Sequence, residues 1–309
     1  MGKKDILSNE YMSDPERFAA IFNYYLNDGK EIIKPSELVN QDTKEYLSIL
    51  GVKDKDVIQK FRDILKRCCI KDGKDATYVL LGIENQSEIH YAMPVRNMLY
   101  DAINYANQVK ALADMHKEKK DLKNAEFLSG LTIDDKIKPV ITIVLYWKND
   151  EWIAPTKLSE MFTNLPGTLG KFINDYSINL ITPHDIKDFS KLKTELGDVL
   201  EFIKRQDEDK LLFCMQSERG DDWSMSVESI NIINEFTGAG IRIDETEGGK
   251  VKMCRATESI REEGEQKKSR EIAESLVKNG VPLDKIIASI PDIPEDEIQK
   301  IFNNITKKS

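Results

Sequence analysis

The run Pro139-Val-Ile-Thr-Ile-Val-Leu-Tyr146 constrains the fold of this chain more than any other segment. Nearly uninterrupted apolar and β-branched side chains make a strand of the kind covered on both faces, and such a strand needs neighbours. Two runs upstream supply them. Residues 61–70 and 77–86 are rich in Ile, Val, Leu, Cys and Tyr, and Lys71-Asp72-Gly73-Lys74-Asp75 between them has hairpin-turn chemistry, which predicts an antiparallel pair. From about Pro94, the residues Val95, Leu99, Ala102, Ala106, Val109 and Ala113 form one apolar stripe with polar residues opposite, a long amphipathic helix that ends in the solvated run His116 to Lys120. Strand, strand, helix, strand is a mixed α/β core.

Around this core the elements are simpler. Phe18, Ile21, Phe22 and Leu26 are spaced for a first helix that opens at Asp14 and closes at Gly29. Short helices are expected over 34–38, from Asp42 and over 54–59, a return strand from Trp152, and one more strand over 178–181. Beyond Ser190 the pattern is helical, at about 192–205, 225–236 and 251–278. The last of these carries Arg261, Glu262, Glu263, Glu265, Lys267, Lys268 and Arg270 in its middle, which suits a solvated helix or a coiled-coil pairing with a second copy. Gly280-Val-Pro282 stops it, and two short helical units follow over 284–290 and 295–301. Helix, turn, helix at this size could bind DNA, but Asp292, Glu295, Asp296 and Glu297 oppose phosphate. The expected division is a mixed-sheet domain over 1–189 and a helical region over 190–309.

Composition narrows the chemistry. A chain of 309 residues, 40% hydrophobic and 32% charged, can bury a proper core. It has no apolar run near the length of a membrane span, and Met-Gly-Lys-Lys-Asp does not open like a secretory signal, so the cytoplasm is expected. Cys68 and Cys69 are adjacent and Cys214 and Cys254 stand alone, which fits neither a zinc site nor a disulfide framework. His90, His116 and His184 match no zinc-hydrolase or deaminase spacing. A metal would therefore be held by oxygen. The net charge of −9 argues against wrapping nucleic acid without regard to sequence, although a local basic groove remains compatible with it.

One constellation carries chemistry. Tyr78, Leu80, Gly82, Glu84 and Gln86 share a strand face by their period of two, so a carboxylate and an amide stand together at the end of an apolar strand. Such groups are costly there unless they are paired or exposed at a site. Asp63, on the partner strand, could be brought near Glu84 by the hairpin. Two carboxylates with the backbone carbonyl between Glu84 and Gln86 make a plausible Mg²⁺ cage, and a metal so held would polarise a phosphodiester and lower the pKa of bound water. Gln86 could orient water or bond a phosphate oxygen, but its neutral amide is no general base. The plain alternative is a solvent-exposed strand end beside an ordinary Asp.

The stretch FRDILKRCCIKDGKDATYVLLGIENQSEIHYAMPVRNMLYDAINYANQV, followed by IKPVITIVLYWKNDEWIAP, resembles the Rpn family of recombination-promoting nucleases and transposase-like proteins, within the PD-(D/E)XK superfamily. The resemblance covers residues 14–165 strongly and the helical tail more loosely. It implies a restriction-endonuclease-like mixed sheet flanked by helices, with a helical C-terminal region. It further implies an Mg²⁺- or Mn²⁺-dependent DNA endonuclease serving recombination, mobile elements or defence. Asp63 and Glu84 match the two metal-binding acids, with the Asn85 carbonyl as a third ligand. Gln86 stands where the superfamily usually has Lys, and Arg62, Arg96 and Tyr100 match phosphate-binding positions. For Arg96 and Tyr100 the alternative is helix-to-sheet packing. Many relatives carry an acid in the first helix where this chain has Ala19 and Ala20. That departure keeps open a catalytically idle relative that binds DNA or protein. An RNA-directed nuclease is disfavoured by the lack of an aromatic stacking platform. DNA is the expected partner, with a second copy pairing through the C-terminal helices and no membrane.

Overall fold

The computed structural model describes residues 2–41, 64–72, 75–164, 166–243, 246–290 and 293–306. Arg62, Asp63, Asp292, the helices expected from Asp42 and over 54–59, and the turn residues Gly73 and Lys74 lie outside the described residues. So do the side chains in the charged middle of the 251–278 helix, from Arg261 to Lys267.

Five strands form one mixed sheet in the order β1-β2-β3-β4-β5, with β1 Val39–Asn40, β2 Ile64–Asp72, β3 Asp75–Gln86, β4 Val140–Tyr146 and β5 Asn179–Ile181. The expected hairpin is present: β2 and β3 are antiparallel, Ile64 opposite Ile83 and Asp72 opposite Asp75. β4 lies parallel to β3, Leu80 beside Val140 and Gln86 beside Tyr146, and β5 continues in parallel beside β4. A parallel neighbour needs a long crossover, and the helix over Met93–Lys119 (α3) supplies it. The sheet, its flanking helices and the helical C-terminus are compatible with a restriction-endonuclease-like fold.

Two N-terminal helices cover one face. Pro15–Asn27 (α2) starts where Asp14 accepts the backbone N–H groups of Glu16 and Arg17, each at 3.0 Å, with Pro15 set for the first turn. It buries Phe18, Ala19, Ala20, Ile21, Phe22 and Asn23. The Asn23 side chain closes the following loop, accepting from the backbone of Ile32 and Ile33 and donating to the Ile33 carbonyl, all at 2.9 Å. The helix Lys3–Ser13 (α1) was not expected: it buries only Ser8, Tyr11 and Met12, too few for a periodic signal. Lys66 ties this layer to the sheet, its buried ammonium donating to the Ser13 carbonyl and to Asn40 Oδ1 at 2.8 Å each.

The opposite face holds a reversal. The stripe Val95, Leu99 and Val109 on α3 is exposed, and the buried residues are Met93, Pro94, Asn97, Tyr100, Asn107 and His116. The polar side faces inward because it is paired with β4 and the segments beside it. Gln108 exchanges two hydrogen bonds with the Lys138 backbone (2.6 and 3.0 Å), Tyr105 Oη accepts from the Val140 amide (3.1 Å), and Asp101 Oδ1 accepts from the Thr142 hydroxyl (2.8 Å). Residues ascending the helix meet residues descending the strand, so α3 runs antiparallel to β4. The return strand expected from Trp152 is absent: residues 151–153 form no strand, and Trp152 packs its ring edge-on against Tyr146, centroids 5.2 Å apart.

Both ring nitrogens of buried His116 meet carboxylates, Nδ1 with Asp121 at 2.8 Å and Nε2 with Asp135 at 2.9 Å. The bond to Asp121 foremost, then that to Asp135, holds its pKa above the ordinary value. A pKa raised on folding means stabilisation that is whole below about 6.5 and lost as pH rises through the folded value. Amides over 121–135 are therefore expected to exchange faster, after correction for intrinsic rates, on the alkaline side of that window than on the acid side. His116→Gln should erase the difference; equal protection on both sides in the wild-type chain would contradict the clasp.

The chain groups into two compact units, Met1–Glu208 with Glu228–Ala239, and Asp209–Val227 with Gly240–Ser309. The first holds the five-stranded sheet, the helix Glu195–Lys204 (α4) and most of Val227–Thr237 (α6). The second holds Leu211–Arg219 (α5), an antiparallel pair of three-residue strands, Ser224–Ser226 and Lys250–Lys252, and three final helices, Met253–Lys278 (α7), Leu283–Ser289 (α8) and Glu295–Thr306 (α9). Ala273, Val277, Ile286, Ile290, Ile293 and Ile298 make one buried cluster among those three, and Arg270 pairs with Glu297 at 2.6 Å. No helix among the described residues is long and apolar enough to cross a membrane. All four cysteines are free, and burial foremost pushes the Cys68 thiol up to about 11, so it is an inert core group.

Candidate functional site

The site forms where β3 ends and α3 begins. Even-numbered residues of β3 face α3 and odd-numbered ones face α1 and α2, as the partners show. Glu84 pairs with Arg96 of α3 (Nη2 to Oε2, 3.1 Å), while Asn85 Nδ2 donates to Asn9 of α1 at 2.7 Å. Glu84 is fully buried, Gln86 is buried, and neither carboxylate oxygen of Glu84 finds a hydrogen bond among the described residues. Gln86 uses its carbonyl to accept from the Trp147 amide at 3.0 Å. Alternation along the strand sends the Asn85 carbonyl to the other edge, towards β2.

Arg96 is held from two sides. Its Nε donates to Tyr100 Oη at 2.6 Å, and its guanidinium lies 5.4 Å from the Tyr100 ring centroid, the two side chains being one helical turn apart. Arg96 remains 28% exposed while Glu84 is 0% exposed. That asymmetry ranks the two charges: the carboxylate carries the larger desolvation cost, and removing its only described cation would cost about 3–5 kcal/mol. Packing and charge therefore both involve Arg96 and Tyr100.

Two neighbours escaped the sequence reading. His90, in the loop between β3 and α3, has a buried Nδ1 without a described partner; burial first and the Arg96 charge second hold its pKa below the ordinary value, so it is neutral at pH 7. Its only sequence signal is its place just after the Glu-x-Gln strand end. Asp101 accepts from Thr142 and, at 2.7 Å, from Tyr176 Oη, which itself accepts from Asn97 Nδ2 at 3.1 Å. Burial raises the Asp101 pKa against the lowering effect of these two donors. Gly82 leaves room for the Thr142 hydroxyl, which a Cβ there would approach to 3.2 Å. Nothing local in the sequence points to Tyr176, because it lies 75 residues from Asp101.

A buried carboxylate with both oxygens unbonded, beside a carbonyl, offers the hard oxygen donors that Mg²⁺ or Mn²⁺ takes. The donor type fits such an ion. Among the described residues no group of three or more His, Cys, Asp and Glu could hold a metal, and Asp63 and Arg62 are not among them.

Comparison with protein families matches residues 7–218 to the family described as "putative transposase, YhgA-like". The chain belongs to this family. The match takes in the five-stranded sheet and the residues of the candidate site, and it accords with the resemblance read from the β2 to β4 sequence. No curated protein and no solved structure matches the chain.

Proposed function

We propose that this member of the YhgA-like family is a metal-dependent DNA endonuclease of the cytoplasm, hydrolysing phosphodiester bonds in recombination, mobile-element movement or defence. The observation that carries the reading is the Glu84 carboxylate, fully buried at a strand end with both oxygens unbonded. A fully buried carboxylate without a hydrogen bond is costly, and the partly exposed Arg96 guanidinium at 3.1 Å is the one described charge that offsets it.

In this reading Asp63, Glu84 and the Asn85 carbonyl hold Mg²⁺ or Mn²⁺. Asp63 directly precedes Ile64 in the sequence, and Ile64 is opposite Ile83, the residue before Glu84. A bound divalent ion supplies polarisation of the phosphodiester, a water of lowered pKa and stabilisation of charge on the leaving oxygen. Gln86, on the same strand face as Glu84, orients the water or bonds a phosphate oxygen, and its amide takes no proton. Arg62, Arg96 and Tyr100 bind the phosphate, Arg96 by charge and Tyr100 through its hydroxyl. Pairing of two copies through the C-terminal helices belongs to the same proposal.

A second reading, a catalytically weak relative that binds DNA or protein, draws support from α2. Ala19 and Ala20 are 2% and 5% exposed, so at the positions before Ile21, where many relatives carry an acid, this helix buries methyl groups instead. Supercoiled plasmid separates the two. The endonuclease nicks it with Mg²⁺ or Mn²⁺, loses the activity to a chelator, and loses it again in Asp63→Ala. Cleavage that persists without metal, or in Asp63→Ala, would rule out this site.

A further inference from the structure

Arg96 occupies the one described contact that Glu84 makes, and a divalent ion held by Glu84 would need the same carboxylate. We propose that Arg96 is the resident counter-ion of Glu84, that a divalent cation binds by displacing it, and that the displaced guanidinium becomes available to phosphate. The inference rests on the metal-site reading above and adds a regulation to it: the cation site and the phosphate contact exchange one arginine.

The geometry supports an exchange better than a permanent bridge. The pair closes to 3.1 Å between Nη2 and Oε2, and neither oxygen of Glu84 makes a hydrogen bond among the described residues. A structural Arg–carboxylate pair is commonly a two-pronged fork with parallel bonds. Here the second anchor is Tyr100, bonded to Nε at 2.6 Å. Rotation that frees Nη2 from Glu84 can keep the Nε bond, so the charge stays beside the strand end. Arg96 is already 28% exposed, which gives it solvent to turn towards, whereas Glu84 has none. His90, pushed towards its neutral form by burial and Arg96, adds no second cation to the carboxylate. The exchange leaves Glu84 compensated in both states, once by the guanidinium and once by the metal. It also leaves Arg96 without its carboxylate in the metal-loaded state, when a phosphate is the anion to be met.

The test counts bound Mn²⁺ by the electron paramagnetic resonance of the free ion, on the full chain without DNA, so that no cleavage enters the readout. Arg96→Gln removes the competing charge and is expected to tighten Mn²⁺ binding about tenfold; Arg96→Lys keeps a charge without the Tyr100 anchor and is expected to fall between, about two- to threefold tighter. Should the glutamine variant not fold, the lysine variant still decides. A residue of merely structural importance would weaken metal binding or leave it unchanged when replaced. Mn²⁺ bound by the wild-type chain, lost in Glu84→Gln, but no tighter in either Arg96 variant would overturn the exchange and spare the metal site. Binding absent throughout, or indifferent to Glu84→Gln, would overturn both.

Discussion

Glu84→Gln should lower metal-dependent plasmid nicking by roughly a thousandfold, the scale of losing a principal transition-state charge stabiliser, and should leave the chain folded and no less stable. The two halves of the expectation come from the same burial. Glutamine has the shape of glutamate, so the strand end keeps its packing. It has no charge to hold a divalent cation in a water-poor site, so the ligand field collapses. On the stability side, a fully buried carboxylate with unbonded oxygens is replaced by a neutral group, which removes a desolvation cost of several kcal/mol against the loss of one ion pair at 3.1 Å. Arg96, partly exposed and still bonded to Tyr100, keeps its solvation. Nicking assays and thermal melts of the same preparation test both halves. Activity within about tenfold of the wild-type chain would remove Glu84 from the site, and a melting point lower by more than about 5 °C would show that the carboxylate supports the fold instead.

The sheet was legible because its strands carry the strongest local signals. Residues 140–146 are apolar apart from Thr142 and the Tyr146 hydroxyl, and the structure makes them β4, the strand between β3 and β5. The hairpin was legible from its two β-branched runs and the turn chemistry between them, and β3 ends at Gln86, three polar residues beyond the last apolar one, Ile83. The parity of Glu84 and Gln86 followed from strand geometry alone. The face they look onto did not, because that depends on which side α3 crosses.

What the sequence hid was long-range pairing. The α3 stripe of Val95, Leu99 and Val109 reads as a core face by periodicity, yet it is exposed, because Asp101, Tyr105 and Gln108 on the other side find partners near β4 that no local pattern reveals. A polar helix face can be buried when enough of its groups bond across to the strand, as Asp101, Tyr105 and Gln108 do, and that pairing needs the register of two elements about 35 residues apart. Trp152 misled for a related reason: an aromatic after a turn suits a strand, but the edge of Tyr146 gives it a packing site without one. α1 was invisible because its buried side is a serine, a tyrosine and a methionine. The candidate site was legible only in part, since Arg96 was seen as a phosphate ligand and not as the cation beside Glu84.

Trp147→Ala should destabilise the sheet-bearing unit by about 3–5 kcal/mol, the range for emptying a large aromatic site in a core. The indole is fully buried immediately after β4, stacked on Phe236 with centroids 5.4 Å apart and meeting the Tyr11 ring edge-on at 6.1 Å. It therefore joins the sheet to α1 and α6 at once. Its second role is polar: Nε1 donates to Asn85 Oδ1 at 2.9 Å, and Asn85 donates onward to Asn9. Trp147→Phe separates the two roles, since a phenyl ring retains most of the stacking and loses the donor. It should cost about 1 kcal/mol, the scale of losing one hydrogen bond to a half-buried acceptor. Urea unfolding of the two variants measures the difference, and a loss below about 1 kcal/mol for alanine would mean that the Phe236 and Tyr11 contacts contribute little. Asn85 sits between Glu84 and Gln86, so the phenylalanine variant also reaches the site. With the Asn85 amide free to turn, the peptide that would present its carbonyl to a cation loses an anchor, and nicking should fall more than the stability loss alone explains. The same Trp147 bond thus holds the core and the strand end on which Glu84 stands.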